Sequence, residues 1–400
     1  MESLKQNLAV LVACQTLLLA ISSTVVSVSS LAGQSLAANK LLSSLPVTAF
    51  MLGAALTTYP ASLYMKRAGR RAGFSLGAGC GLLGAFLATL AVGLGSFWLI
   101  CLGALFLGSS NGIGQYYRFA AADAAPAGFK STAISLVMTG GLVGGLLGPS
   151  LSRFTIDRFA QRFLGCYLSL AVYLVLALLL VGRLRIPVPA PSLARSKGRP
   201  LAQIIRQPEV LVAVASAALA NGVMVLLMVA TPLAMSLCRH PYSAATAVVG
   251  WHFIGMFGPS LVTGRLIRRF GAVKMMLAGA LVLAGSVAIA LSGSAVSHFW
   301  FAMFLLGIGW NLIYIGGTTL LSESCLPEEK AKCQGFNDLT IAVIQVVSSI
   351  FSGVLINCGG WVVLNYLSLL FIALIVSGLL WLVGKRAIVT ALTTDLETRS

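Results

Sequence analysis

Twelve apolar stretches, separated by short polar breaks, run the length of the chain. Each is close to the roughly 20 residues that cross the hydrocarbon of a bilayer. They cover residues 7–32 (helix 1), 41–65 (helix 2), 72–93 (helix 3), 96–121 (helix 4), 131–151 (helix 5) and 162–182 (helix 6). After a gap come 209–236 (helix 7), 243–267 (helix 8), 274–294 (helix 9), 298–321 (helix 10), 335–357 (helix 11) and 361–384 (helix 12). A backbone in lipid must satisfy its own hydrogen bonds, so each stretch is read as a helix. The prediction is an all-α integral membrane protein of twelve transmembrane helices in two pseudo-symmetric six-helix bundles. The first stretch is longer than a signal-peptide core of about 7–15 residues and is read as a retained helix. Only Arg183 to Arg206 forms a sizeable connector, with Pro187, Pro189, Pro191, Pro200, six basic residues and no acid. It divides the chain into residues 1–184, a linker at 185–205, and residues 206–400.

Composition narrows the class. Hydrophobic residues make up 58% of the chain and charged ones 9%, against about a quarter charged in soluble domains. So apolar a surface needs lipid as its solvent. The formal net charge of +17 would suggest nucleic acid in a soluble protein, but here the basic residues sit in short clusters between apolar spans. Most fall on one side: Lys5, the 66–71 turn, Arg118, Lys130, the linker, Arg265, Arg268, Arg269, Lys274, Lys330, Lys332, Lys385, Arg386 and Arg399. The other side has Lys40, Arg153, Arg158, Arg162 and Arg239. This bias predicts both termini and the linker in the cytoplasm. The eight cysteines show no metal-type spacing and imply no disulfide framework. No catalytic triad, carboxylate pair or phosphate loop appears within one membrane layer, so no enzyme and no cofactor are expected. A single twelve-helix chain needs no second copy to enclose a cavity, and a monomer is expected.

The halves echo each other at an offset near 200 residues. Lys66-Arg67-Ala68-Gly69 follows helix 2 and Arg268-Arg269-Phe270-Gly271 follows helix 8; Asn111 answers Asn311; Pro126 with Lys130 answers Pro327 with Lys330. The first turn, Ser62 to Arg71, resembles the G-x-x-x-D-R-x-G-R-R signature of the major facilitator superfamily, with Ser62 and Lys66 in place of its Gly and Asp. The run Gly140 to Pro149 in helix 5 resembles that family's glycine-rich motif, whose small residues let helices approach closely. The resemblance spans essentially the whole chain. It implies alternating access, two halves rocking about a site near the midplane, and it speaks weakly to the substrate.

Two motifs could carry a metal. Helix 7 has Met224-x-x-x-Met228 and helix 8 has His252-x-x-x-Met256, each pair on one helical face. At 1.5 Å per residue, Met228 sits roughly 28 Å from the inner start of helix 7 and His252 roughly 13 Å from the outer start of helix 8. If the two helices lie side by side, the four residues pair at two matching depths. Thioethers select Cu(I), and imidazole suits copper as well. Equally, Met fills irregular cores, and a lone intramembrane His serves structure or carries protons. The paired motifs resemble the CcoA-type copper importers, in which these positions are the proposed ligands and the copper supplies respiratory oxidase assembly. Related RfnT-type proteins import riboflavin. The resemblance therefore implies copper as cargo, with riboflavin or another small organic solute as the alternative.

The remaining candidates follow from position. Met235, Cys238 and His240 at the outer end of helix 7 would capture metal. Cys325 and Cys333 flank an inner turn and are read as free thiols. Asp338, the one acid well inside a predicted span, with Arg118, Asp123, Arg67, Arg70 and Arg71, is a candidate for coupling or gating. For an organic solute the polar groups of helix 4 (Asn111, Gln115, Tyr116) and of helix 10 (Trp310, Asn311, Tyr314) would line the cavity, with a flat ring stacked on Trp310 or Tyr314.

Overall fold

The computed structural model describes residues 2–126, 130–186, 199–326 and 329–397. The proline-rich part of the expected linker (187–198), Pro327 and Arg399 lie outside these, as do the side chains of Lys66, Lys130 and Lys330. Helix 1 is Glu2–Leu36 and helices 2 and 3 share Leu45–Leu94. Helix 4 is Phe97–Gly114 with Tyr117–Ala124, helix 5 is Lys130–Thr155 and helix 6 is Leu164–Val181. Helix 7 is Pro208–Leu237, and helix 8 is Tyr242–Phe257 continued by Ser260–Phe270. Helices 9 to 12 are Ala272–Ser292, Val296–Ser324, Lys330–Cys358 and Gly360–Glu397. Eleven of these spans are long and apolar enough to cross a membrane, and helix 5, at 26 residues, has the length to be the twelfth. With twelve crossings both termini share one face, called basal below; the opposite face is distal.

The internal repeat has a backbone signature. Gly69 (φ 86°) separates helix 2 from helix 3, and Gly271 (φ 85°) separates helix 8 from helix 9. Only glycine adopts that conformation without strain, which explains why each basic turn ends on it. In helix 5, Gly140, Gly144 and Gly148 recur every fourth residue and so share one face. A Cβ there would run into Val12, Thr16 and Ala20 of helix 1. The two backbones touch along this stripe, the small-residue packing that membrane helices use. Gly144→Val is expected to destabilise the protein by about 1–3 kcal/mol, as overpacking does, read as a lower thermal midpoint in detergent.

Helices 7 and 8 do not lie side by side as the depth argument supposed. Helix 10 packs along both, and they meet each other far less. Consecutive helices joined by a short turn need only be close at that turn. A second expectation is also corrected: Cys325 and Cys333 are joined as a disulfide across the turn between helices 10 and 11. Eight residues apart in sequence, they are brought together because the chain reverses between them.

That turn is braced by charge. Glu329 is buried and accepts from the Arg199 Nε (2.7 Å), Nη2 (2.8 Å) and backbone N–H (3.0 Å). Leu326 N–H donates to it as well (3.3 Å). These bonds, chiefly the Arg199 guanidinium, pull its carboxyl down from the ordinary 4.5 to about 2. A lowered carboxylate pKa adds stability above the unfolded value, and that stability is lost as pH falls from about 4.5 through about 2. Hydrogen exchange at 199–207, corrected for intrinsic rate, should therefore stay flat from pH 8 to 5. Glu329→Gln should raise it several-fold throughout.

Candidate functional site

The two halves meet along helices 1 and 7, 2 and 11, and 5 and 8. On the distal side a seam of small polar residues closes the join. Ser44 Oγ donates to the Ser349 carbonyl (2.8 Å) and Thr48 Oγ1 to Ser349 Oγ (2.8 Å). Asn357 Nδ2 donates to the Lys40 carbonyl (3.0 Å), and Tyr242 OH to Ser152 Oγ (3.1 Å). Gly353 packs directly on Ser44, with no room for a Cβ.

Toward the basal side the halves part around a cavity of about 410 Å³ between helices 5, 8 and 10. This is within the range of about 300–1,000 Å³ for small-molecule sites. Met138 and Thr139 of helix 5 face Met256 and Ser260 of helix 8, and helix 10 supplies Trp310, Asn311 and Tyr314. Trp310 and Tyr314, one helical turn apart, stack nearly parallel, with centroids 4.8 Å apart and planes 10° apart. The Trp310 Nε1 is buried and has no hydrogen-bond partner among the described residues. A tyrosine–tryptophan plane beside mixed polar and apolar walls is suited to a flat, acceptor-rich solute.

Asn311 also lines the cavity, but its amide is already engaged. It donates to the Met256 carbonyl (2.7 Å) and Ser260 Oγ (2.7 Å) and accepts from Thr263 (2.8 Å). Helix 8 breaks between Phe257 and Ser260 at Gly258-Pro259, and Asn311 satisfies groups on both sides of the break. Asn111, its counterpart, accepts from Ser22 Oγ of helix 1 (2.9 Å). Gln115, at the break within helix 4, is exposed. Tyr116 OH donates to the Thr58 carbonyl (3.0 Å), and the Arg70 guanidinium lies over its ring.

The charged candidates divide by face. Arg70 pairs with Asp123 (2.8 Å) within the first half, while Arg67 and Arg71 are exposed. Arg118 of helix 4 lays its guanidinium over the Phe119 ring (4.9 Å), and its Nε is buried without a hydrogen-bond partner among the described residues. Asp338 accepts from Asn337 (3.2 Å).

The four central metal candidates lie on helices 7 and 8, each of which packs along helix 10. Of the four, Met256 lines the cavity. His252 is fully buried one turn away, its Nδ1 donating to the Met303 carbonyl (2.8 Å). That tautomer leaves Nε2 as an acceptor, and it has no hydrogen-bond partner among the described residues. Met224 and Met228 are buried in helix 7. Met303 of helix 10, not singled out from sequence, stands between: its sulfur accepts from Thr231 of helix 7 (3.2 Å) and its carbonyl from His252 of helix 8. At the distal end Met235 is fully buried and Cys238 exposed. His240 lines a separate distal cavity of about 420 Å³ and donates from Nε2 to the Ser294 carbonyl (2.6 Å).

Residues 11–258, and again 239–394, match the Major Facilitator Superfamily. The chain belongs to that family. It is a multi-pass membrane transporter and not an enzyme. Over 374 residues it is 38% identical to the riboflavin transporter RfnT of Brucella anthropi, covering 93% of this chain and 94% of that one. The fold is that of the nucleoside transporter NupG, crystallised as a mutant (TM-score 0.74, 13% identity, 94% of this chain and 99% of that one). It is also that of a bacterial homologue of the human lysosomal transporter Spinster, captured inward-facing and unoccupied (TM-score 0.70, 14% identity, 94% and 96%).

Proposed function

We propose that this transporter imports riboflavin, or a solute of the same flat, hydrogen-bonding kind, across a bacterial inner membrane with both termini in the cytoplasm. The observation that carries the reading is the parallel Trp310–Tyr314 pair on the wall of the cavity between the halves. A planar heteroaromatic ring extends such a stack, and Thr139 and Ser260 offer hydroxyls to a polar chain. The sealed distal seam and the cavity on the basal side fit the cytoplasm-facing stage of alternating access, in which residues 1–184 rock against 206–400. The 38% identity to a riboflavin transporter over nearly the whole chain supports the same cargo.

One observation favours a second reading, copper. The bare Nε2 of His252 is a buried soft-metal donor atom without a partner, and Met256 lies one turn away on the same helix. Radioactive riboflavin and radioactive copper, offered side by side to cells lacking their own importers, separate the two. Riboflavin uptake that survives Met228→Leu and His252→Leu is the expected result. Copper uptake lost in those variants, with no riboflavin uptake, would replace the flavin reading with the metal one.

A further inference from the structure

We infer that Cys325 and Cys333 form a reversible disulfide, a redox-sensitive tie between the basal ends of helices 10 and 11 that slows transport when closed. Both thiols are buried (6% and 2% exposed) and joined in the structure, and they enclose the turn on which Glu329 is held by Arg199. Other cysteines stand alone: Cys14, Cys80, Cys101, Cys166, Cys238 and Cys358 are free.

The two helices that this turn connects do different things. Helix 10 carries the stacked pair on the cavity wall. Helix 11 carries Ser349, Gly353 and Asn357, the second half's share of the distal seam between helices 2 and 11. A covalent bond at their basal ends, added to the Arg199–Glu329 clamp, restrains the cavity helix relative to the gate helix. Lys332, next to Cys333, donates to the Arg199 carbonyl (3.3 Å), so the same few residues bind the linker end to the turn. Separation of the thiols lets the basal ends of helices 10 and 11 shift against each other as the halves rock.

The chemistry is thiol–disulfide exchange with a low-molecular-weight disulfide such as glutathione disulfide. One cysteine thiolate attacks a sulfur of the disulfide, forming a mixed disulfide and releasing one glutathione thiolate. The second cysteine thiolate then attacks the protein sulfur and releases the other. Two protein thiols are oxidised by two electrons and one glutathione disulfide is reduced to two thiols. Excess glutathione drives the reverse. Disulfides exposed to a reducing cytoplasm are usually transient and redox-sensing, which suits a tie made only under oxidising conditions. Because both sulfurs are buried, exchange requires the two helix ends to part, and its rate reports that separation.

The inference rests on the basal face being cytoplasmic. The test equilibrates the full-length protein in membranes with glutathione buffers from reducing to oxidising, then alkylates and maps peptides by mass spectrometry. A single two-electron transition yielding a linked 325–333 peptide is expected; both thiols fully alkylated at the oxidising end would overturn the inference. This readout needs no transported solute, so it fails or succeeds separately from the flavin reading. Uptake in the same membranes should fall several-fold on oxidation, and Cys325→Ser and Cys333→Ser should each abolish that response while keeping reduced-state uptake. A double variant with an unchanged redox response would sink the coupling to transport. Labelling of these thiols in intact cells by a membrane-impermeant maleimide would place the turn outside and overturn the switch.

Discussion

Replacing Trp310 by alanine should lower riboflavin uptake by roughly 5- to 150-fold, the equivalent of about 1–3 kcal/mol for one lost stacking surface. The ring is one face of a parallel pair on the cavity wall, so its removal takes away both the solute's platform and the support that orders Tyr314. Trp310→Phe keeps a smaller ring and drops the indole N–H, and it should fall between wild type and alanine. Tyr314→Ala should match the tryptophan loss, because either ring leaves the other without its partner. Initial rates across riboflavin concentrations distinguish weaker binding from slower turnover, and the loss is expected mainly in KM. Wild-type kinetics in Trp310→Ala, at equal protein in the membrane, would remove the cavity between helices 5, 8 and 10 as the site.

Gly353→Leu should abolish net uptake, a loss of more than about 20-fold, by holding the distal seam open. Even a Cβ at this position collides with Ser44, and a leucine adds three further carbons where packing is already closed. The cost falls on the state in which helices 2 and 11 are together on the distal side. The opposite state, with the seam parted, gives the side chain room, so the population shifts toward it. A cysteine introduced at Thr48, a buried member of the seam, should become reactive to an impermeant maleimide in the variant and stay protected otherwise. Ser349→Ala removes one hydroxyl from the same seam; at about 1 kcal/mol for a hydrogen bond, it should reduce uptake only about two- to fivefold. Undiminished uptake in correctly inserted Gly353→Leu would show that the seam does not close during transport.

Much of the architecture was legible because lipid leaves few choices. An apolar run near 20 residues can only be a helix, so span number and order followed from hydropathy. The repeat was equally visible, since Gly69 and Gly271 stand where the backbone turns with positive φ, a local demand that no other residue meets cheaply. The glycine-rich run Gly140 to Pro149 foretold a close approach between helices.

The site's wiring was not legible. Sequence order made helices 7 and 8 neighbours, yet helix 10 packs along both, and it is the Met303 carbonyl of helix 10 that meets His252. Asn311 looked like a free amide for a solute, but the break at Gly258-Pro259 left polar groups that it satisfies. Glu329 and Arg199 are 130 residues apart, and nothing local to either predicts the other.

By itself, then, the sequence determined what solvent, helical periodicity and local backbone strain dictate: a twelve-helix membrane protein, its internal duplication and the glycines that end its basic turns. Only the tertiary structure decided which faces meet, which amides and sulfurs are already engaged, and where the halves leave a cavity. Those outcomes depend on contacts between helices far apart in the chain, where many pairings bury similar apolar area and the fit of particular side chains selects among them.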